Sequence, residues 1–314
     1  MAATTSADLA ALIPSELISG VLIQNMGDRA NLKDLCAVRT GFKSYEFAEL
    51  GPLTAVGVAE GAALTPAVIT PVGTVITASP QEIPAIQVTR LALESQQGPD
   101  WLNLSGALGK GLSNRANAQI CATFDDTFNA NRNVCSSTDG AGNAIAMDLH
   151  TLELAIEVAE GNNSMSQPFG GAMGLVAVLH PSQIAAIRAN VRTSGNYVTR
   201  EDILAVNPAL PATGLAFGYY NVAIYSSMGV TSSAFVQLAG AGVELQTGLA
   251  IAAGTTKKGA LFSVGEGVGF VMQKDANIRT QESVLIGSGG MNLIAGYVGA
   301  AGRISEALTV VQSL

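Results

Sequence analysis

The chain has 314 residues, 48% hydrophobic and only 13% charged, with 35 glycines and a formal net charge of −8. Proteins usually carry about 25% charged residues, so a membrane or other subunits must cover part of the surface; a spanning helix needs about 20 mainly apolar residues, and the runs at 170–179 and 291–302 are too short. The acidic balance also excludes direct binding of nucleic-acid phosphates, which needs clustered Lys and Arg, while leaving room for a wall that encloses nucleic acid without sticking to it.

Residues 1–10 are small and polar and are expected to be ordered only when docked. Pro14-Ser15-Glu16 opens a short amphipathic helix with Leu17, Ile18, Val21, Leu22 and Met26 on one side, ended by Gly27-Asp28. An N-terminal core helix and an arm docked on a neighbour fit this pattern equally.

Residues 41–79 read as two extended arms around a turn. Tyr45 and Phe47 share one face and Glu46 and Ala48 the other, with 68–76 as the returning arm. Pro66 and Pro71 cannot donate to a ladder, so the return arm is edge-like. The turn falls at Val58-Ala59-Glu60-Gly61, where the glycine permits a tight reversal, and Leu64 follows it. Because a lone hairpin is marginal in water, this one is expected to be stable only when laid on another surface.

Residues 81–93 continue as strand, with Ile86 and Val88 opposite Gln87 and Thr89. Gly98-Pro99-Asp100 marks a change of period, and Asp100 is the expected N-cap of a long helix over 100–129. There Leu104, Leu108, Leu112, Ala116, Ile120, Phe124 and Phe128 recur every four residues. Such a stripe drifts by roughly 40° per step and winds about two thirds of the way round the helix. The helix is therefore expected to act as a spine touching several layers. Gly106, Gly109 and Gly111 each cost about 1 kcal/mol relative to alanine, which predicts a bend or a later start in its first third.

The polar stretch 131–142 is read as a loop and a boundary. An α/β pattern follows: a helix over 147–159 aligning Leu149, Leu152, Ile156 and Ala159, a strand over 175–179, and a helix opened by Pro181 that carries Ile184, Ile187 and Val191. Residues 194–213 read as loop. Further strands are expected at 222–225, 242–249, 260–270, 275–285, 293–298 (apolar on both faces) and 308–311.

No motif argues for an enzyme. Gly109-Lys110-Gly111 lacks the earlier glycine and the following Ser or Thr of a phosphate loop, and the glycines at 265–269 and 287–290 miss dinucleotide spacing. His150 and His180 lie in different elements, and His180 before Pro181 reads as a helix start. Asp125 and Asp126 diverge by about 100° on a helix and cannot share a proton or metal. Cys36, Cys121 and Cys135 are odd in number without short paired spacing, which suits reduced, buried thiols. No catalytic, cofactor-binding or metal residue is therefore assigned. Residues 41–100 hold six acids and two bases, a local −4 that is half the net charge of −8, so contacts made by this region should weaken with salt.

Taken in order, the N-terminal arm, the hairpin with Val58-Ala59-Glu60-Gly61-Ala62-Ala63-Leu64-Thr65-Pro66, the strand through 83–93, the spine helix and the α/β part containing 175–181 resemble a tailed-bacteriophage major capsid protein. The resemblance spans nearly the whole chain, and its arrangement is more specific than its single motifs. It implies an α+β fold divided into an N-terminal arm (1–40), an extended hairpin loop (41–80), a peripheral domain with the spine helix (81–146), an α/β axial domain (147–270) and C-terminal strands returning to the peripheral domain (271–314). It further implies intersubunit contact through Val58, Glu60, Gly61 and Leu64, and spine packing through Leu104, Leu108, Leu112, Ile120, Phe124 and Phe128. The implied product is a homo-oligomer of pentamers and hexamers, assembled in the host cytoplasm into an icosahedral virion shell around double-stranded DNA, without cofactor or membrane.

Two departures shape what the resemblance implies. Some relatives cross-link through a lysine in this loop, but 44–80 contains none. Some begin with a long scaffolding segment, whereas about 40 residues precede the hairpin here, so a separate scaffolding protein is expected, with a portal and a possible decoration protein as further partners. An encapsulin-like compartment shell is the nearest alternative, followed by a tail-tube or other virion protein and, from another class, an α/β enzyme.

Overall fold

The computed structural model describes Leu22 and residues 32–49, 72–84, 86–89, 101–125, 134–137, 145–161, 174–230, 232–233, 256–283, 290–304 and 308–314. The expected N-terminal helix is outside these residues except for Leu22, which is buried and helical. The turn at 58–64, the Asp100 cap, Phe128 and the strand expected at 242–249 also lie outside them.

In chain order, the described strands begin with β1 (Ala37–Thr40), β2 (Ser44–Glu49), β3 (Val72–Thr77), β4 (Ser79–Glu82) and β5 (Ile86–Thr89). The long helix α1 (Trp101–Ala122) is extended by a 3-10 turn, Thr123–Asp125. Then come β6 (Val134–Ser136), α2 (Leu149–Gly161), β7 (Leu175–Leu179), α3 (Pro181–Thr193), β8 (Tyr197–Val198) and α4 (Arg200–Val206). The chain closes with β9 (Leu215–Tyr219), β10 (Val222–Ser226), β11 (Ser232–Ser233), β12 (Thr256–Ser263), β13 (Val268–Ser283), β14 (Gly290–Arg303) and β15 (Thr309–Ser313).

Two sheets organise these elements. In the first, the order is β1-β13-β14-β4, with β5 also on β14. Its backbone is the β13–β14 ladder, which runs from Val268 opposite Arg303 to Ser283 opposite Gly290 and shifts register around Lys274. The second has the order β6-β15-β12-β7-β10-β9-β8, with β11 on β12, and mixes parallel pairs (β6 with β15, β7 with β10) with antiparallel ones. The fold is thus α+β, with large mixed sheets and helices packed against them.

Helix α1 begins at Trp101 and runs unbroken through Gly106, Gly109 and Gly111, so the late start expected there is absent. The reason at one position is space: a β-carbon on Gly111 would sit 2.8 Å from Ile83 Cδ1, so the helix approaches the strand connection through a residue without a side chain. Leu108, Leu112, Ala116, Ile120 and Phe124 are buried and Leu104 is half-buried. On the first sheet the same core takes in Leu293, Ala295 and Tyr297, while Phe124 comes within 6.0 Å of Phe262 on the second. The winding stripe therefore does bridge layers.

The α/β pattern is borne out for β7 and α3, and α2 buries Leu152, Ile156 and Ala159 as its spacing predicted. His180 is the N-cap of α3: its Nδ1 accepts from the Ser182 amide at 3.2 Å while Gln183 Oε1 accepts from the His180 amide at 2.9 Å.

Several expectations fail. The stretch 131–142 contains β6, paired in parallel with β15, and the loop expected at 194–213 contains β8 and α4, the latter capped by Thr199. The single strand expected at 260–270 is the end of β12, a turn with Gly265 at φ 79°, and the start of β13. The strand over 81–93 is two short pieces, β4 and β5, that pair with successive parts of β14 on either side of Pro84. The strand β9 was not foreseen. Residues 293–298 belong to the longer β14, with Leu293, Ala295 and Tyr297 buried while Ile294 and Val298 are half-buried. The final strand lies between β6 and β12 of the second sheet.

Candidate intersubunit contact surface

The hairpin β2–β3 is a sheet of its own, pairing Ser44 with Thr77 through Glu49 with Val72. Period-two alternation puts Tyr45, Phe47 and Ile76 on one face, and that face is laid on the first sheet beside Val271, Val298 and Ala300. The fit depends on two glycines facing each other in the β13–β14 ladder, Gly269 and Gly302. A β-carbon at 269 would be 2.9 Å from both Phe47 Cε2 and Ile76 Cδ1, and one at 302 would be 2.8 Å from Ile76 Cδ1 and Cγ1. The glycine pair is the socket of the hairpin base.

The opposite face is open. Val75 is 60% exposed, and Glu46 lies beside it on this face with its side chain over Gly73. At the root of the hairpin, Phe42, Tyr45 and Phe47 form an edge-to-face ladder with ring centroids 5.3 and 4.8 Å apart. The Arg39 guanidinium sits 5.4 Å over the Tyr45 ring. Phe42 itself is 48% exposed. Val58, Glu60, Gly61 and Leu64 themselves are beyond the described residues.

A second feature lies where β13 bulges. A cleft of about 170 Å³ is lined by Glu82, Lys274, Asp275, Asn277 and Arg279 among others. Glu82 and Arg279 form an ion pair across Gly296, whose missing side chain leaves the space for it; a β-carbon there would be 2.8 Å from the Gln81 carbonyl. Both partners are largely exposed, so the pair contributes little to stability. Behind it, a polar network ties α1 to the sheet: Arg115 Nε donates to Gln81 Oε1 at 2.9 Å, and the Tyr297 hydroxyl donates to Gln119 Oε1 at 2.6 Å.

Of the predicted spine residues, Leu104, Leu108, Leu112, Ile120 and Phe124 are brought together in one core and Phe128 is not described. The socket glycines were missed by sequence reasoning. A glycine pair in a strand signals close approach, but not what approaches.

Nothing in the described residues resembles a reaction centre. Among the described residues no group of His, Cys, Asp or Glu converges as metal ligands, and no helix is long and apolar enough to cross a membrane. All three cysteines are buried free thiols, and burial raises the Cys121 and Cys135 thiols to about 12, far from a reactive thiolate.

No protein-family model matches the chain, and no curated protein matches it in sequence. Solved structures do match its fold. The capsid of Ralstonia phage GP4 superposes with a TM-score of 0.59 at 10% identity, covering 90% of this chain and 87% of that one. The head of Helicobacter pylori bacteriophage KHP40 gives 0.57 at 12% identity, over 91% and 90%. A virus-like particle from Pyrococcus furiosus gives 0.52 at 10% identity, over 96% and 99%. The chain shares the fold of these particle-forming proteins along nearly its whole length.

Proposed function

We propose that this protein is the major structural subunit of a tailed-phage capsid, assembling into pentamers and hexamers of an icosahedral shell around double-stranded DNA. The observation that carries the reading is the end-to-end fold match with phage capsid and head structures, at TM-scores of 0.59 and 0.57. The low charge content is its physical counterpart, since a subunit surrounded by copies of itself needs few charges to stay in solution. Its role is structural and non-enzymatic.

In this reading residues 41–80 are the extended loop that lies on a neighbour, with Val58, Glu60, Gly61 and Leu64 at the contact. Residues 1–40 are the arm, 81–146 the peripheral domain to which the C-terminal strands of 271–314 return, and 147–270 the axial domain. A separate scaffolding protein, a portal and a decoration protein are the partners such a shell would use, with assembly in the host cytoplasm and residence in the virion. Electron microscopy of the purified chain tests the proposal. Closed shells or capsomers are expected, and a monodisperse monomer under every assembly condition would overturn it.

A second reading is favoured by one observation, the match that covers 99% of the Pyrococcus particle subunit. An encapsulin-like compartment would contain protein cargo in place of DNA. Nuclease sensitivity and the mass of the contents of particles isolated from the native source separate the two.

A further inference from the structure

We infer that Met228 is the oxidation site of the folded subunit: a hydroperoxide converts its thioether to the sulfoxide ahead of the other described sulfurs, Cys36, Cys121, Cys135, Met147 and Met272, and the fold survives the change. The inference concerns a turn of the single subunit and does not rest on the shell-forming reading.

Met228 stands in the turn that follows β10, and at 77% exposure it is the most exposed of the described large hydrophobic residues. The residues around it are fastened inward. The Ser227 amide donates to the Leu179 carbonyl at 3.0 Å, and the Ser227 hydroxyl accepts from the Gly229 amide at 3.1 Å. Gly229 lies so close to α1 that a β-carbon there would stand 3.2 Å from the Ala118 nitrogen, and Val230 is buried in the core that α1 shares with both sheets. With both flanks seated, the backbone cannot turn the Met228 side chain inward without giving up these contacts. The thioether is held in solvent.

The other described sulfurs are withheld from it. Met147 is 3% exposed and accepts from the Ser137 hydroxyl at 3.7 Å, while Met272 is 2% exposed in the core beneath α1. Cys121 Sγ lies 3.7 Å from the Ser227 hydroxyl, so it belongs to the same turn as Met228, yet it is fully buried and its thiol is pushed up to about 12. Burial raises the Cys135 and Cys36 thiols as well. A thiol meets an oxidant as thiolate, which all three lack near neutral pH. A thioether has no proton to lose, so access alone decides its rate.

The step is a two-electron oxygen transfer. A lone pair of Met228 Sδ attacks the hydroxyl oxygen of the hydroperoxide, the S–O bond forms and the O–O bond breaks. The sulfur is oxidised and the peroxide reduced, and the proton of the attacked oxygen passes to the leaving oxygen, which departs as water or an alcohol. The sulfoxide is polar, which disrupts a core but not a side chain already in water.

The test exposes the dilute full chain to graded hydrogen peroxide and follows each peptide by mass spectrometry. The peptide holding Met228 should gain one oxygen about tenfold or more faster than those holding Met147 or Met272, with all three cysteines still open to alkylation after unfolding. In chain unfolded by guanidinium before exposure, the three methionines should react at similar rates. M228Q, which places a polar end of similar length at the site, should melt within about 1 °C of wild type. Met228 reacting no faster than Met147 and Met272, a cysteine consumed before it, the same spread of rates in the unfolded chain, or a larger drop in the melting temperature of M228Q would each overturn the inference. None of these results bears on whether the chain forms shells, which electron microscopy decides separately.

Discussion

Ile76 occupies the space that a side chain at Gly302 would need: a β-carbon there would stand 2.8 Å from both Cδ1 and Cγ1 of Ile76. A residue of the hairpin is thus seated on the first sheet by the absence of a side chain in β14. The base of the hairpin is part of the fold, whereas its outer face remains available to a neighbour.

Replacing Gly302 with alanine should therefore push Ile76 out of its seat at a cost of about 1 to 3 kcal/mol. Ile76→Ala should cost about 2 to 5 kcal/mol, since the side chain is 5% exposed. Both should raise the rate of limited proteolysis within 41–80. Equal protection of variant and wild type would show that the hairpin is held some other way.

Deleting 58–64 removes none of the seat residues. The shortened subunit is expected to fold with an unchanged melting temperature and to fail in joining capsomers, which sedimentation would reveal. Unfolding of the subunit would instead assign the tip to the core.

Phe124 ends the apolar stripe of α1 against Phe262 and is 1% exposed. Phe124→Ala should lower unfolding free energy by about 3 to 5 kcal/mol in denaturant titration. A loss under 1 kcal/mol would mean that the helix end does not link the two sheets.

Gly111→Ala pits a helix-propensity gain of about 1 kcal/mol against a contact with Ile83 Cδ1. That atom is the end of a flexible side chain, so the single change should be close to neutral. In an Ile83→Val background, where Cδ1 is gone, the gain should emerge. A double-mutant cycle reads the difference, and simple additivity would remove the contact as the reason for the glycine.

The cap of α3 should make stability depend on pH. Burial first, and the nearby Lys257 charge second, hold the His180 ring below its ordinary 6.5, and only the neutral Nδ1 can accept the Ser182 amide. The stabilisation is complete above the unfolded-state value and declines as pH falls through the lower folded value, because there the unfolded chain binds the extra proton. The loss should be about 1 kcal/mol, the usual worth of an N-cap. His180→Asn, which caps without titrating, should flatten that part of the profile, measured as the difference in unfolding free energy between the two proteins.

How far the chain can be read without its fold differs by element. The α1 stripe, the alternation of Tyr45 and Phe47, and the proline opening of α3 are local: residues one to four positions apart share a face by backbone geometry alone, whatever the rest of the chain does. The turn glycine at Gly61 says where the chain reverses but not what it touches, and a contact at Val58, Glu60, Gly61 and Leu64 comes only from the resemblance.

By itself, then, the sequence determined the order of the main elements and the buried sides of α1, α2 and α3. Tertiary structure decided the rest. It put β15 between β6 and β12, broke 260–270 into two strands, carried α1 without a break through three glycines, and faced Gly269 with Gly302 to receive Phe47 and Ile76. The reason is common to all four. Strand partners and close approaches join residues far apart in the chain, and a missing side chain acquires meaning only from the atom that fills its place.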